Sequence, residues 1–418
     1  MDASIIVIGD EILLGRVTDT DSGFIARRIN TMGWRVDRVQ VIGDDAGQIE
    51  QAVRASVERY PLTFITGGLG PTKDDITKAS LCRVFGGEME FSEAVYENVC
   101  RIFRAKHLQL NELTRLQAMV PTSCRVIQNV LGTAPIMWFE SGGHVAVSMP
   151  GVPFETEGML DRAVLAEVSR FFNPSATYTH RSLLCWRVSE SALAERLAQW
   201  EDALPANFHL AYLPDSPVIR LRLDGSGEDA DALNAEADSL FGELCALVGD
   251  NLVSIGADDL PAVLIGRLKQ LNLTAGTAES CTGGYIAHAI TAIAGASDVF
   301  AGSVVSYSND VKHCVLGVES ETLERHGAVS CETVEQMLAG ACRVLGTDCA
   351  MATSGIAGPG GGTPEKPVGT VWIGVKSPAG TRVELYHMPG NRQRVIERST
   401  KTAMLMLLDS LSNLQSEK

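Results

Sequence analysis

The chain has 418 residues, more than one hydrophobic core usually supports, so two or three domains are expected. Its 45% hydrophobic and 21% charged residues exclude a disordered or fibrous protein. The net charge of -16 argues against direct binding to nucleic acid, because that binding depends on Lys and Arg side chains that neutralise phosphates.

Two further features bear on the compartment. The first residues lack the basic and apolar segments of a secretory signal, and no apolar run is long enough to span a membrane. The ten cysteines show no paired zinc spacing, so we expect neither a structural zinc nor a disulfide framework. The sequence therefore predicts a cytoplasmic protein that does not contact a membrane.

The first predicted domain, residues 1–172, alternates strand and helix patterns. Strands are predicted at residues 4–8, 35–42 and 62–66. Helices are predicted at residues 21–32, from Asp44 or Asp45 to about Tyr60, and from Asp74 or Asp75 to near Gly86. Because this alternation is typical of parallel strands joined by helices, we expect a parallel sheet that helices cover on both faces.

Two more domains are predicted after it. Residues 173–254 contain strand patterns at 182–188 and 218–223 and a helix pattern at 190–200, which is typical of a small α+β domain. Residues 255–418 contain four strand-like runs separated by helical stretches: 273–280, 299–308, 348–355 and 368–375. The predicted architecture is α/β, with two three-layer α/β/α domains and a small α+β domain between them.

A glycine-rich segment follows the third predicted strand of the first domain. Gly67, Gly68, Gly70 and Thr72 precede a helix, where backbone N–H groups can hold a phosphate, although the lysine spacing of a P-loop is missing. Asp74 and Asp75 follow directly. Paired aspartates beside a phosphate usually need a divalent cation, by default Mg²⁺, but these two could equally be helix-capping residues. Three loops would border the same crevice: 9–15, which contains Glu11, 132–135 and 150–153. So would residues 19–21, which include Asp19 and Asp21 and lead into the next helix.

A second polar constellation lies in the last domain. Ser280 stands where a predicted strand passes through residues 279–284 into a helix near Tyr285, and a Ser or Thr there could be either a nucleophile or a helix cap. Tyr307 and Lys312 follow a second strand, and we expect Lys312 at the end of that strand. No histidine motif is tied to Ser280, so a Ser-Lys pair is the better hypothesis, provided that burial keeps the lysine neutral. Cys281 is the rival nucleophile.

Segments 279–284, 306–312, 326–330 and 354–371, with the region around Arg394, resemble the carboxy-terminal domain of the CinA family, competence/damage-inducible protein A. The resemblance implies a metal-free amidase that converts nicotinamide mononucleotide to nicotinate mononucleotide and ammonia. It implies Ser280 as nucleophile, Lys312 as general base and Tyr307 as the partner of that base. The implied substrate contacts are Thr282, Gly283, Gly284, Ser354, Gly355 and Arg394. Ser354 stands where the family usually has threonine, so we expect activity with an altered substrate fit.

The first domain resembles the molybdopterin-binding fold that forms the amino-terminal half of the same family. In some members that half is implied to hydrolyse ADP-ribose with a divalent cation. The implied substrate contacts are Glu11, Gly67, Gly68, Gly70, Thr72 and Asp74, with Asp75 as the metal ligand. Three positions depart from the family pattern: Asp21 is usually Asn, Ile136 replaces a glycine and is expected to narrow the pocket, and Arg187 stands in a turn that is usually Gly-rich.

Three functions follow as hypotheses. The preferred one is a nicotinamide-nucleotide amidase with a possible ADP-ribose pyrophosphatase site in the first domain. The alternatives are a protein that binds molybdopterin or the molybdenum cofactor, because a fold does not fix chemistry, and a non-catalytic competence-associated partner. We expect small-molecule nucleotide substrates, no nucleic-acid partner and a homodimer.

Overall fold

The computed structural model describes residues 1–72, 75–172, 177–256, 259–412 and 414. The chain forms two compact units. Unit 1 contains residues 1–179 and 226–233, and unit 2 contains residues 180–225 and 234–418.

Unit 1 contains a main sheet, a small two-stranded sheet and the helices around them. Its strands are β1 (Asp2–Ile8), β2 (Arg35–Ile42), β3 (Leu62–Thr66), β4 (Met89–Phe91), β5 (Met119–Pro121), β6 (Arg125–Ile127), β7 (Ile136–Ser141) and β8 (His144–Met149). Its helices are α1 (Asp10–Leu13), α2 (Asp21–Asn30), α3 (Ala46–Arg59), α4 (Thr77–Phe85), α5 (Glu93–Ala105), α6 (Glu112–Leu116), α7 (Pro153–Met159) and α8 (Leu165–Phe172). A π-helical turn, Leu160–Val164, joins the last two.

The main sheet of unit 1 has the strand order β2-β1-β3-β8-β7-β6. Side chains of β1 alternate between two cores: Ile5 and Val7 pack on one face and Ile6 and Ile8 on the other. Both faces are therefore buried, as the long apolar runs predict. The three predicted strands, β1, β2 and β3, are parallel as expected. The sheet also contains β7 and β6, which were not predicted and which join it antiparallel through a short hairpin.

Local predictions in unit 1 had mixed outcomes. Asp45 caps α3, and its side chain accepts a hydrogen bond from the N–H of Gln48 at 2.9 Å, as predicted. Asp75 does not cap α4, which begins at Thr77 after Ile76 and has no side-chain cap. Asp74 lies outside the described residues. Ile136 is fully buried in β7 and in the core, so the expectation that it narrows a pocket is wrong.

Unit 2 contains a four-stranded and a five-stranded sheet. The strands are β9 (Thr177–Trp186), whose first residues belong to unit 1, β10 (Phe208–Asp215), β11 (Val218–Gly227), β12 (Leu252–Ile255), β13 (Ala275–Glu279), β14 (Phe300–Val305), β15 (Cys349–Gly355), β16 (Thr370–Ser377) and β17 (Gly380–His387). The helices are α9 (Glu190–Asp202), α10 (Ala230–Val248), α11 (Leu260–Leu271), α12 (Tyr285–Thr291), α13 (Asn309–Cys314), α14 (Ser320–Arg325), α15 (Cys331–Leu345) and α16 (Arg392–Leu411). The last two residues of β11 and the first four of α10 belong to unit 1.

The five-stranded sheet, in the order β14-β13-β15-β16-β17, carries the second constellation. Met351 of β15 packs into one core, and its neighbours Ala350 and Ala352 pack into a second core on the opposite face. Strands β13, β14 and β15 run parallel, so their carboxyl ends meet at one edge. The predicted α/β class is confirmed, and the four strand-like runs are strands; β17, which pairs antiparallel with β16, was not predicted.

Among the described residues, no helix is both long and apolar enough to cross a bilayer.

Candidate functional site

Ser280 lies at the carboxyl edge of the five-stranded sheet, directly after β13. Its N–H donates to the carbonyl oxygen of Thr353 in β15 at 3.0 Å, and the N–H of Ser306 donates to the carbonyl oxygen of Glu279 at 2.8 Å. These bonds tie the residues that follow β13 and β14 to the neighbouring strands. The Ser280 side chain is only 9% exposed.

Lys312 meets Ser280 from helix α13, not from the end of a strand as predicted. Ser308 caps this helix by accepting a hydrogen bond from the N–H of Val311, so the chain turns into α13 just after β14. The Nζ of Lys312 is 3.0 Å from Ser280 Oγ and 2.7 Å from the carbonyl oxygen of Ser306. The lysine is thus one turn beyond its cap and points back to the strand edge.

The surroundings of Lys312 favour a neutral amine. Its side chain is 1% exposed, and no carboxylate in the described part of the chain forms an ion pair with it. Burial lowers the pKa of Lys312 below its ordinary value. Burial also raises the pKa of the neighbouring Cys281 thiol to about 12, so that thiol is a poor source of thiolate.

Glu279 is a site residue that the sequence did not single out. It is fully buried, and it accepts hydrogen bonds from the N–H groups of Gly284, Ile286 and Ala287 at 2.9–3.0 Å. A carboxylate is favourable at the start of α12, where backbone N–H groups would otherwise lack acceptors. One sequence signal could have identified Glu279: it directly precedes Ser280 in a turn that leads into a helix.

Three of the predicted substrate contacts, Thr282, Gly283 and Gly284, lie in the turn between Ser280 and α12. Thr282 is buried, and its hydroxyl donates to Glu279 Oε2 at 2.8 Å. Gly283 and Gly284 form the turn, and Gly284, with a φ of 97°, immediately precedes α12. In the described part of the chain, the N–H groups of Cys281 and Thr282 have no hydrogen-bond acceptor on another residue. Backbone donors next to Ser280 are therefore available.

The remaining predicted residues lie around β15 and α16. Ser354 is buried and donates to the carbonyl oxygen of Ala328 at 2.6 Å, and Gly355 pairs with Val371 in the sheet. Tyr307 is 63% exposed, and its hydroxyl accepts a hydrogen bond from Arg392 at 3.0 Å; it has no hydrogen bond to Lys312. Arg394 is exposed on the first turn of α16.

Arg392 is the second residue that the sequence did not single out. Its guanidinium donates to Tyr307 and to the carbonyl oxygen of Gly358 at 2.7 Å. Both acceptors are neutral, and within the described residues no carboxylate pairs with this guanidinium. No acidic side chain among the described residues therefore neutralises the positive charge of Arg392, which lies beside the segment that carries Ser306 and Lys312.

Unit 1 contains a separate cavity of about 420 Å³ at the carboxyl ends of β1 and β3. The predicted residues Glu11, Gly67, Gly68, Gly70 and Asp75 line it. Four further acidic side chains also line the cavity: Asp19, Asp21, Asp44 and Glu155. Of these, Asp44 and Glu155 were not predicted to border it. The described lining contains no Lys or Arg. The cavity is therefore strongly acidic.

The glycine loop forms one wall of this cavity. A side chain at Gly67, where φ is 105°, would place its Cβ 2.0 Å from the carbonyl oxygen of Ile8. Asp75 accepts from the N–H of Gly70 at 2.7 Å and the N–H of Thr72 at 2.8 Å, and the Thr72 hydroxyl also donates to it. Thr72 itself does not line the cavity. In the described chain, the N–H groups of Gly68 and Leu69 have no acceptor.

A divalent cation held at this cavity by side chains alone would need several acidic side chains that converge on one point. Among the described residues, no three His, Cys, Asp or Glu side chains are arranged to hold a metal ion. Both oxygens of Asp75 already accept hydrogen bonds from its own loop. The described side chains alone thus do not form a metal site.

Comparison with known proteins gives a consistent family. Three family models match successive segments: Probable molybdopterin binding domain at residues 4–170, Damage-inducible protein CinA KH domain at 180–253, and CinA C-terminal domain at 257–411. A CinA-like protein of Cytophaga hutchinsonii is 43% identical over 89% of this chain and 88% of its own length. One of Flavobacterium psychrophilum is 37% identical over 97% of this chain and 98% of its own.

Solved structures of related proteins each cover a part of the chain. The crystal structure of a competence/damage inducible protein from Agrobacterium tumefaciens is 42% identical, covers 37% of this chain and 94% of that chain, and has a TM-score of 0.36. The length and identity of the full-chain matches decide the family. The chain belongs to the CinA family, with an amino-terminal molybdopterin-binding-like domain, a KH domain and a CinA carboxy-terminal domain.

Proposed function

We propose that the site of unit 2 hydrolyses the carboxamide of nicotinamide mononucleotide to nicotinate mononucleotide and ammonia. The observation that carries this proposal is the 3.0 Å contact between Lys312 Nζ and Ser280 Oγ, made by a buried lysine whose pKa is lowered by that burial. A neutral amine at hydrogen-bond distance is what a serine nucleophile needs from a general base. The family resemblance supports the choice of substrate.

The reaction would run through an acyl-enzyme. Lys312 takes the hydroxyl proton as Ser280 Oγ attacks the carboxamide carbon, and the resulting oxyanion is held by the free N–H groups of Cys281 and Thr282. Lys312 then gives the proton to the departing nitrogen, and ammonia leaves. A water molecule, deprotonated by the same amine, attacks the ester, which releases the carboxylate and restores the Ser280 hydroxyl. The net reaction consumes one water and needs no redox partner.

Arg392 is the residue that we assign to the substrate phosphate. It offers a positive charge with only neutral partners, and a guanidinium matches the geometry of phosphate oxygens. Arg394 remains a candidate for the same role, since it is exposed on the same helical turn. The two arginines form a matched pair for mutagenesis.

The direct test is ammonia release from nicotinamide mononucleotide by the purified protein. Ser280→Ala and Lys312→Ala should each lose at least about 100-fold in kcat, the contribution typical of a positioned nucleophile or base. Cys281→Ala should remain close to wild type, because its thiol stays protonated. An active Ser280→Ala variant, or an inactive wild type, would remove the proposal.

A second candidate function belongs to the cavity of unit 1. We propose that it binds a nucleotide such as ADP-ribose and hydrolyses its pyrophosphate, with the free N–H groups of Gly68 and Leu69 as phosphate donors. The acidic lining means that an anionic ligand needs a divalent cation to accompany it, and Mg²⁺ commonly binds through one or two carboxylates together with substrate phosphates. Formation of AMP from ADP-ribose with added Mg²⁺ tests this function. Co-purified pterin fluorescence would instead favour molybdopterin binding.

A further inference from the structure

Asp21 is the most buried of the acidic side chains described in the lining of the unit 1 cavity. It is the first residue of α2, it lines the cavity, and it is only 5% exposed. Its Oδ2 lies 3.0 Å from the hydroxyl oxygen of Thr66. Its Oδ1 is buried and has no hydrogen-bond partner among the described residues. An ionised carboxylate with a bare buried oxygen is costly, so the protonation state of Asp21 needs an explanation.

The hydroxyl of Thr66 supplies that explanation. Its oxygen is also 2.8 Å from the carbonyl oxygen of Pro150, which can only accept. A hydroxyl has one proton to donate, so Thr66 cannot donate to Pro150 and to an ionised Asp21 at the same time. If Asp21 carries a proton on Oδ2, it donates to Thr66, and Thr66 donates to Pro150. Both short contacts are then hydrogen bonds, and only Oδ1 stays without a partner.

The charges around Asp21 act in the same direction. Burial raises the pKa of Asp21, and the negative charges of Asp19 and Glu157 raise it further, while the hydrogen bond with Thr66 lowers it. The other charged groups of the described cavity wall are all carboxylates: Glu11, Asp44, Asp75 and Glu155. No positive side chain in the described lining stabilises an ionised Asp21.

We propose that Asp21 is an uncharged acid whose Oδ1 accepts a hydrogen bond from a hydroxyl group of the cavity's ligand, such as a ribose hydroxyl of a nucleotide. A neutral carboxyl presents an acceptor and a donor in the way that an amide does. The ligand part of the inference rests on the nucleotide function proposed for unit 1; the protonation of Asp21 does not.

The protonation is tested without any ligand. The infrared difference spectrum between wild type and Asp21→Asn at pH 7 should contain the carbonyl-stretch band of a protonated carboxylic acid. Asp161→Asn is the matched control, because Asp161 is an exposed partner of Arg28 and should contribute only carboxylate bands. Absence of the protonated-acid band from the Asp21 difference spectrum would overturn the uncharged state.

The role in binding is tested with ADP-ribose and Mg²⁺ as the probe. Ionisation of Asp21 would add a negative charge to an acidic cavity that must hold an anionic pyrophosphate. Above the titration midpoint of Asp21, the Kd of wild type should therefore rise by up to about tenfold per pH unit, whereas Asp21→Asn should lack this rise. Equal pH dependence in the two proteins would overturn the role of Asp21. If neither protein binds ADP-ribose, the ribose assignment fails together with the nucleotide function, while the infrared band still decides the uncharged state separately.

Discussion

Among single residues, the buried Glu279 has the largest part in positioning Ser280. Glu279 accepts hydrogen bonds from the N–H group of Gly284, from two N–H groups in the first turn of α12 and from the Thr282 hydroxyl, so it fixes both ends of the turn that contains Ser280. It also occupies the positive end of that helix. A developing oxyanion must therefore rely on the turn's own N–H groups at Cys281 and Thr282. Glu279 is a positioning residue for the proposed reaction.

We predict that Glu279→Gln lowers the free energy of unfolding by about 1–3 kcal/mol, because an amide nitrogen would face buried donors. It should reduce kcat more than it changes KM, since the nucleophile loses its position and substrate binding is less affected. Urea unfolding and steady-state ammonia release measure the two effects. Glu324→Gln, an exposed change on α14, serves as the control, and an unaltered kcat in Glu279→Gln would refute the positioning role.

Among the secondary-structure elements, the sequence predicted the strands more accurately than it predicted which residues of different elements contact each other. The apolar runs of β13, β14 and β15 are visible in the sequence, and so is the placement of Ser280 at a strand end. Lys312 was expected on a strand because the run at 299–308 continues in a strand-like pattern. The strand instead ends at Val305, and Ser308 caps a short helix. Such local capping competes with extended structure over a few residues.

Contacts between distant elements explain the other differences. Tyr307 and Arg392 are 85 residues apart, so no spacing rule predicts that they form a hydrogen bond. Asn391 caps α16 by accepting from the N–H of Arg394 at 3.0 Å, and this start of the helix places Arg392 and Arg394 in its first turn. Only the three-dimensional arrangement distinguishes the arginine that contacts Tyr307 from the one that does not.

We predict that Arg392→Ala raises the KM for nicotinamide mononucleotide by about 10- to 100-fold, the loss expected for one or two charge-assisted hydrogen bonds. Arg394→Ala, on the same turn, should change KM much less. The kinetics of ammonia release measure both, with nicotinamide riboside, which lacks the phosphate, as a second substrate on which the two variants should be similar. A larger KM effect in Arg394→Ala would reverse the assignment.

At the scale of the whole molecule, two chemistries are proposed for two units that each have their own hydrophobic cores. The α/β class and the βα alternation were predictable, because buried parallel strands have a strong apolar signature. The acidity of the unit 1 cavity was only partly predictable, because its carboxylates come from residues as far apart as Glu11 and Glu155. Small-molecule substrates and the absence of a nucleic-acid partner stay predictions, which rest on the net charge of -16.

We predict that chelation separates the two proposed activities. EDTA should abolish AMP formation from ADP-ribose, because the acidic cavity cannot hold an anionic pyrophosphate without a cation. Ammonia release from nicotinamide mononucleotide should be unchanged, since the base and nucleophile are Lys312 and Ser280. Both assays on one EDTA-treated sample, with Mg²⁺ added back, make the comparison. Loss of ammonia release that Mg²⁺ restores would contradict a metal-free amidase.

The pH dependence of kcat/KM for ammonia release shows whether Lys312 acts on Ser280 as a neutral base. A base must be deprotonated to act, so activity should rise with pH through the pKa of Lys312 and then level off. Because burial lowers that pKa, the midpoint should lie clearly below the ordinary lysine value of about 10.4. A midpoint at the ordinary lysine value would contradict an uncharged, buried Lys312 acting on Ser280.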